Sequence, residues 1–377
     1  MRVVLDPARL GKVLSELLLS GGNGLAIAVE QHRPRTGGAL VKCKDVLHGR
    51  KINRKLCSEK ETIRPIGQIR QNNSNFGRPC AMALPIFREQ FMTASTHIDF
   101  QKVRLAFIGG GNMASAILGG LLRQGLAQSQ VVVIEPFAET AAKLQTEFGV
   151  EVHAAASTDS AASAVLSHAD LVVWAVKPQV FKEAALPVAA FTHKALHLSV
   201  AAGIRSDSIA RWLQTDRVVR SMPNTPALVG HGITGLFSRA GVSATDKQLV
   251  EQVLKSTGEW LWVKQESDLD VVTALSGSGP AYVFYFLEAM TEAGVQMGLS
   301  QEQAYHLAKA TFGGATHLAR QSTDSPEVLR QRVTSKGGTT YAALTSMADD
   351  HVKEAFVKAM LAAQKRAGEL GDEFGKD

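Results

Sequence analysis

An apolar run of strand length, Val103 to Ile108 with only Arg104 interrupting it, ends on three glycines. It passes directly into a small-residue helical pattern, Asn112-Met-Ala-Ser-Ala-Ile-Leu-Gly-Gly120. Within this juncture Gly109-x-Gly111-x-x-Ala114 fits the GxGxxA form of the dinucleotide-binding fingerprint. The first glycine makes the tight turn, the second lets backbone approach a pyrophosphate, and Ala114 lets the helix sit close on the strand. The helix start adds unpaired N–H groups and the positive end of its dipole. Such a glycine pattern is weak alone, because a plain turn also uses glycine. Here it follows a strand, opens a helix and has an acid downstream, Glu135, closing the run Val131-Val-Val-Ile-Glu135.

From that point strands alternate with helices. Strands are expected at 103–108, 131–135, 151–153, 171–176, 196–202 and 218–221, and helices at 112–124, 138–148, 160–167 and 204–213. Repeated β-α-β with short links predicts an α/β fold with a Rossmann-like doubly wound parallel sheet. The uninterrupted Leu171-Val-Val-Trp-Ala-Val176 reads as a strand buried on both faces. Past Gly258 the pattern changes. Residues 260–263 read as a last strand, and 268–297 form a long apolar stretch broken by Gly277-Ser-Gly-Pro280. Helical patterns at 300–320, 327–333, 340–347 and 351–368 complete an all-helical second domain. Its first helix is apolar on more than one face, and such a helix must be buried; the expected burial is inside a dimer interface.

The first quarter differs from everything after it. Residues 1–91 carry 16 Lys+Arg against 7 Asp+Glu, so of the chain's net +6 the remaining 286 residues contribute 6 − 9 = −3. The basic balance is local, and the body of the chain has no bias toward nucleic acid. Cys43, Cys57 and Cys80 all precede residue 92 without CxxC spacing, which excludes a disulfide frame in the body and fits a reducing, cytoplasmic location. No apolar run reaches the ~18–20 residues of a membrane span. The expected division is a basic extension over 1–100, disordered or outside the working protein. An NAD(P)-binding domain follows over 101–263, then a helical dimerisation and substrate domain over 264–377. Met92 would make a sensible alternative start.

Open α/β sheets bind ligands beyond the carboxyl ends of their strands. Ala175-Val-Lys-Pro178, Ala201-Ala-Gly-Ile204 and Met222-Pro-Asn-Thr-Pro226 each follow an expected strand, and three on one edge favour a cofactor cleft over ordinary turns. In the helical domain Val333-Thr-Ser-Lys-Gly-Gly-Thr-Thr340 gathers hydroxyls, two glycines and a lysine at a helix start suited to a carboxylate. No metal site is expected: His193 and His197 are spaced i,i+4, but 197 begins a strand and no third ligand is nearby.

These segments together resemble the pyrroline-5-carboxylate reductases. The resemblance runs over residues 103 to about 370. It rests on Phe107-Ile-Gly-Gly-Gly-Asn-Met113, Ala175–Pro178, Met222–Pro226, Leu275-Ser-Gly-Ser-Gly-Pro-Ala-Tyr282 and Val333–Thr340. It implies a homodimer-based oligomer whose active sites are shared between protomers. The implied cofactor contacts are Ile108, Gly109, Gly110, Gly111, Asn112, Met113, Ala175, Val176, Lys177, Pro178, Ala202, Gly203 and Ile204. The implied substrate contacts are Ser335, Gly337, Gly338, Thr339 and Thr340, with Glu266 as the acid ahead of the long helix. Thr340, where the glycine pair gives way to a helix, is the expected catalytic residue, its alternative role being a plain cap of that helix. Lys336 stands where the family often has proline, and the family's asparagine near the adenosine has no clear counterpart among 159–162. The implied chemistry is hydride transfer to a cyclic imine bearing a carboxylate, which needs positioning more than a strong acid. The resemblance favours NADPH, whereas Glu135 favours NADH. Two other classes use similar parts. A β-hydroxyacid dehydrogenase needs a lysine on the first interdomain helix, and 268–290 has none. A redox-sensing binding protein would use the same cleft without turnover.

Overall fold

The computed structural model describes residues 2–5, 39–42, 98–155 and 161–375. The chain divides into two compact units, Met1–Glu89 and Gln90–Asp377. In the first, β1 (Arg2–Leu5) pairs antiparallel with β2 (Ala39–Lys42), a ribbon that the sequence reading did not anticipate. The rest of the expected 1–100 extension, up to residue 97, lies outside the described residues, as do 159 and 160 of the expected adenosine segment.

The second unit is built on an eight-stranded sheet. Its strands are β3 (Leu105–Ile108), β4 (Val131–Ile134), β5 (Glu151–His153), β6 (Leu171–Trp174), β7 (Leu196–Ser199), β8 (Val218–Met222), β9 (Gly232–Ser238) and β10 (Gly258–Trp262). Their order is β10-β9-β8-β7-β6-β3-β4-β5. From β5 to β8 all neighbours are parallel, in the doubly wound order with the reversal between β3 and β6. β9 turns back antiparallel to β8, and β10 runs parallel to β9.

Four strands, β3, β4, β6 and β7, are buried at every position, which explains the apolar runs of the first three. Two apolar layers cover the sheet. One gathers Phe107, Leu118 and Leu254, the other Trp174, Phe181 and Trp212. Fully burying each such side chain stabilises the fold by about 1.5–3 kcal/mol. Helices α1 (Asn112–Arg123), α2 (Ala138–Phe148), α3 (Ala161–Leu166), α4 (Phe181–Thr192), α5 (Ser206–Leu213) and α6 (Ala244–Leu254) supply those layers. α2 stops where Gly149 takes φ +66°, a conformation that favours glycine.

The helical domain opens with α7 (Asp268–Val272), which continues as a turn of π-helix over Thr273–Gly277 closed by Ser278 N to Thr273 O at 2.8 Å. The expected break at Gly277–Pro280 is this wide turn, and α8 (Gly279–Gln296) follows it. Then come α9 (Gln301–Gln321), α10 (Pro326–Arg332), α11 (Thr339–Asp349) and α12 (Val352–Phe374). α8 leaves Phe284 58 % and Tyr285 68 % exposed in the single protomer. A groove of about 970 Å³ lies between α8 and α9, lined by Phe284, Leu287, Thr291, Val295 and Tyr305. An apolar surface of this extent marks a site of association.

Candidate active site

The glycine corner forms at the sheet's switch point. Gly109 takes φ +92°, and a Cβ there would lie 2.8 Å from the carbonyl oxygen of Ala175, at the end of β6. Gly109 and Ala175 are also fastened across the sheet, by Gly109 N to Ile134 O and Ala175 N to Ile108 O, both at 2.8 Å. Strand ends from β3 and β6 therefore touch, and only glycine fits the contact. Gly111 is different: its φ is −67°, and the nearest atom to a Cβ would be 3.9 Å away. Its missing side chain leaves open, exposed space in front of α1. No side chain caps α1, and its first backbone bond runs from Ser115 N to Gly111 O at 2.9 Å, which leaves the amides of Asn112, Met113 and Ala114 for a ligand. An open cradle before an uncapped helix start fits a dinucleotide diphosphate.

Around this corner the structure gathers the other cofactor candidates. Ile108 is buried in β3, and Ala175 to Pro178 follow β6. Ala202, Gly203 and Ile204 follow β7; Gly203 takes φ +75°, and a Cβ there would meet Leu370 and Phe374 of α12 at 3.1–3.3 Å. Glu135 is 6 % exposed, its Oε2 accepting from Gly110 N at 2.8 Å and its Oε1 from Phe137 N at 2.9 Å. Asn224, beyond β8, accepts from Ile233 N and donates to the carbonyl of Ser276 in the π-turn, tying the sheet edge to the helical domain.

The substrate candidates fall in two places. Ser335, Lys336, Gly337 and Thr339 are exposed, and Gly338 and Thr340 half-buried, ahead of α11. Gly337 has φ +74°, and Gly338 N donates to Ser335 O at 3.0 Å, so the loop is a tight turn. Gly338 caps α11 without a side-chain hydrogen bond, and the first helical bond is Ala342 N to Gly338 O. The amides of Thr339, Thr340 and Tyr341 are thereby left for an anion. No described hydrogen bond or ion pair joins this loop to the glycine corner of the same protomer.

Glu266 lies elsewhere, at the junction between sheet and helices. Its Oε1 accepts from Ser206 N at 2.6 Å and from Arg220 Nη1 at 2.5 Å, and its Oε2 accepts from Ser206 Oγ at 2.6 Å. Burial alone would raise the Glu266 carboxyl, but Arg220 and Ser206 together hold it below the ordinary value of 4.5. Burial also draws Arg220 below its ordinary value against the pull of Glu266, yet a guanidinium remains protonated. Beside this pair Arg205 Nη2 meets Asp270 Oδ2 at 3.1 Å. Sequence reading missed Arg220 and Ser206, although an arginine inside the otherwise buried strand Val218–Met222 is itself a signal of a partner.

Both ring nitrogens of His197 are engaged within the chain. It is buried in β7, where its Nδ1 accepts from the Trp174 indole at 3.0 Å and its Nε2 faces the Thr192 carbonyl at 3.0 Å, which fixes a neutral ring protonated on Nε2.

A doubly wound sheet with an open glycine cradle at its switch point, joined to a helical domain with an apolar outer face, defines a nicotinamide-nucleotide-dependent oxidoreductase of the Rossmann type. Residues 104–203 match the family model described as NADP oxidoreductase, coenzyme F420-dependent, and residues 266–370 match that of pyrroline-5-carboxylate reductase dimerisation. Over 275 residues the chain is 43 % identical to the pyrroline-5-carboxylate reductase of Pseudomonas aeruginosa, covering 72 % of this chain and 98 % of the relative. The chain belongs to the pyrroline-5-carboxylate reductase family. Among solved structures it is similar to a pyrroline-5-carboxylate reductase from Coxiella burnetii (36 % identity, TM-score 0.66, 73 % of this chain and 99 % of that one). It is also similar to the Plasmodium falciparum pyrroline carboxylate reductase solved with NADP bound (28 % identity, TM-score 0.63, 72 % and 99 %).

Proposed function

We propose that the chain reduces 1-pyrroline-5-carboxylate to L-proline with NAD(P)H, in a homo-oligomer whose active sites combine the glycine corner of one protomer with the 335–340 loop of another. The observation that carries this reading is the presence, in one chain, of two separate uncapped helix starts. The α1 start lies behind an open glycine cradle at the sheet's switch point, and the α11 start lies behind a hydroxyl-rich turn. The first suits a diphosphate and the second a small carboxylate. That no described hydrogen bond or ion pair joins them within a protomer, together with the exposed apolar face of α8, supports sharing across an interface.

The cofactor would be held by Ile108 to Met113, Ala175 to Pro178 and Ala202 to Ile204, with Glu135 at the adenosine end. When bound, the reduced nicotinamide supplies a hydride. The amides of Thr339, Thr340 and Tyr341 receive the substrate carboxylate, which sets the ring's orientation, and positioning of this kind is where such a site contributes most. The Thr340 hydroxyl orients the imine nitrogen or relays its proton, with Ser335 alongside. Glu266 acts from the junction, its carboxylate already oriented by Ser206 and Arg220. The reading includes a cytoplasmic location, supported by a body without cysteine. Among the described residues no helix is long and apolar enough to cross a membrane.

The deciding experiment is the oxidation of NADPH or NADH by purified protein with and without pyrroline-5-carboxylate. Imine-dependent oxidation is expected. Protein that binds either cofactor yet oxidises neither would turn the reading toward a redox-sensing binding protein.

A further inference from the structure

The carboxylate of Glu135 does not hang free at the end of β4. One oxygen is held by the Gly110 amide at 2.8 Å and the other by the Phe137 amide at 2.9 Å, and the residue is 6 % exposed. The corner has closed around it: a Cβ on Gly110 would meet Glu135 Oε2 at 3.2 Å and Leu144 Cδ1 at 2.4 Å. A negative charge is therefore fixed to Gly110, the residue between the two fingerprint glycines. Swinging it into water would break two charge-assisted hydrogen bonds, so it cannot easily relieve repulsion from a bound anion.

Among the described residues, the segment that follows β4 places no cation next to Glu135. Residues 135–142 read Glu-Pro-Phe-Ala-Glu-Thr-Ala-Ala, with Glu139 exposed on the first turn of α2, and the first lysine is Lys143. On the adjacent β5, His153 is engaged with Glu151 at 2.7 Å. A 2′-phosphate requires a positive partner at this end of the site, whereas a ribose 2′-hydroxyl requires an acceptor.

We propose that Glu135 makes this enzyme selective for NADH. The fixed carboxylate accepts from the ribose 2′-hydroxyl through lone pairs that the two amides leave free, and it repels a 2′-phosphate. The proposal rests on reading the glycine corner as the dinucleotide site and concerns only its adenosine end. It departs from the Plasmodium falciparum relative, which was solved with NADP bound.

The test is direct binding of NADH and NADPH to the full chain without substrate, followed by quenching of tryptophan fluorescence, for the wild type, Glu135→Gln and Glu135→Asp. The wild type should bind NADH at least tenfold tighter than NADPH. Glu135→Gln, which removes the charge at nearly constant size, should shrink that ratio at least tenfold, mainly by tightening NADPH. Glu135→Asp keeps the charge and should keep the direction of the preference. A wild type that binds NADPH as tightly as NADH overturns the proposal, and so does a ratio that Glu135→Gln leaves unmoved. The wild-type comparison decides the matter even if a variant fails to fold. No imine is present, so the result stands apart from failure of the reductase reading, which would appear as absent turnover with both cofactors.

Discussion

Arg220 of β8 and Glu266, two residues ahead of α7, meet at 2.5 Å, with their side chains 6 % and 20 % exposed. The pair joins the sheet to the helical domain, and Ser206 gives the same carboxylate two further hydrogen bonds. Removing one partner of such a pair strands the other charge, at a cost of about 3–5 kcal/mol. Arg220→Met should therefore lower stability by roughly 3 kcal/mol, while Arg220→Met with Glu266→Leu should regain part of that loss. Denaturant unfolding of the two variants checks this, and a double variant that regains nothing over Arg220→Met would show that the stranded Glu266 charge carries no penalty. The Glu266 carboxyl is held below 4.5, so its stabilisation is present above that pH and disappears as pH falls through the depressed folded value.

His197 gives a second pH dependence in a different window. Burial, with Arg217 adding to it against the Thr192 carbonyl, lowers its pKa from 6.5 to about 4. The unfolded chain takes up a proton below pH 6.5 that the folded chain refuses until about pH 4, so stability falls across that interval and levels off beneath it. The full loss is about 3 kcal/mol. Unfolding free energies measured from pH 7 to 4 should show the decline, and His197→Gln should flatten it.

Gly109 and Gly111 should respond in opposite ways to alanine. At Gly109 the methyl would strike backbone 2.8 Å away at a left-handed φ, so Gly109→Ala should cost at least 1–2 kcal/mol of stability. At Gly111 nothing lies nearer than 3.9 Å, so Gly111→Ala should fold normally. Its methyl would stand in the space the cradle leaves open, weakening cofactor binding about tenfold or more, which is 1.4 kcal/mol or more. Melting curves and cofactor titrations separate the two effects.

Much of this was legible in the sequence because burial writes itself into composition. β4 and β6 are buried at all positions, and their Val/Ile/Leu runs were readable as strands. β9 was not, since Gly232-Ile-Thr-Gly-Leu-Phe-Ser mixes glycine and hydroxyls, and Gly235 is there to admit Val272, 2.7 Å from where its Cβ would be. α6 escaped notice too, because Ala244-Thr-Asp-Lys-Gln opens with polar residues and only later shows its apolar face. The glycine corner was visible as a local pattern. The seat of Glu266 was not, because Ser206, Arg220 and Glu266 are brought together only by the register of β7, β8 and the segment before α7.

Residues 1–91 should be dispensable for catalysis. The matched relative covers 98 % of its own length within 72 % of this chain, and both family models begin at or beyond residue 104. A chain beginning at Met92 should match the full chain in imine-dependent turnover and in melting temperature. A loss exceeding about 1 kcal/mol, already a large share of a typical total, would show that the first unit stabilises the second.

Thr340 carries the sharpest expectation about chemistry. It is the second residue of α11, whose cap is Gly338, so its hydroxyl is not the helix's N-cap. Among the described residues that hydroxyl makes no hydrogen bond to its own chain, and it stands beside amides that the helix start leaves for an anion. A group that orients the imine nitrogen or passes its proton contributes about 10²-fold or more to turnover. A capping threonine would instead contribute ~1 kcal/mol of stability and little chemistry. Thr340→Val keeps the shape and removes the hydroxyl. The expected outcome is a fall in kcat of about 10²-fold, a modest rise in KM for pyrroline-5-carboxylate, and a KM for the cofactor close to that of the wild type. Steady-state kinetics with each substrate varied in turn, beside a melting curve, decide the question. Normal turnover with earlier melting would make Thr340 a structural residue and pass proton delivery to water or to Ser335.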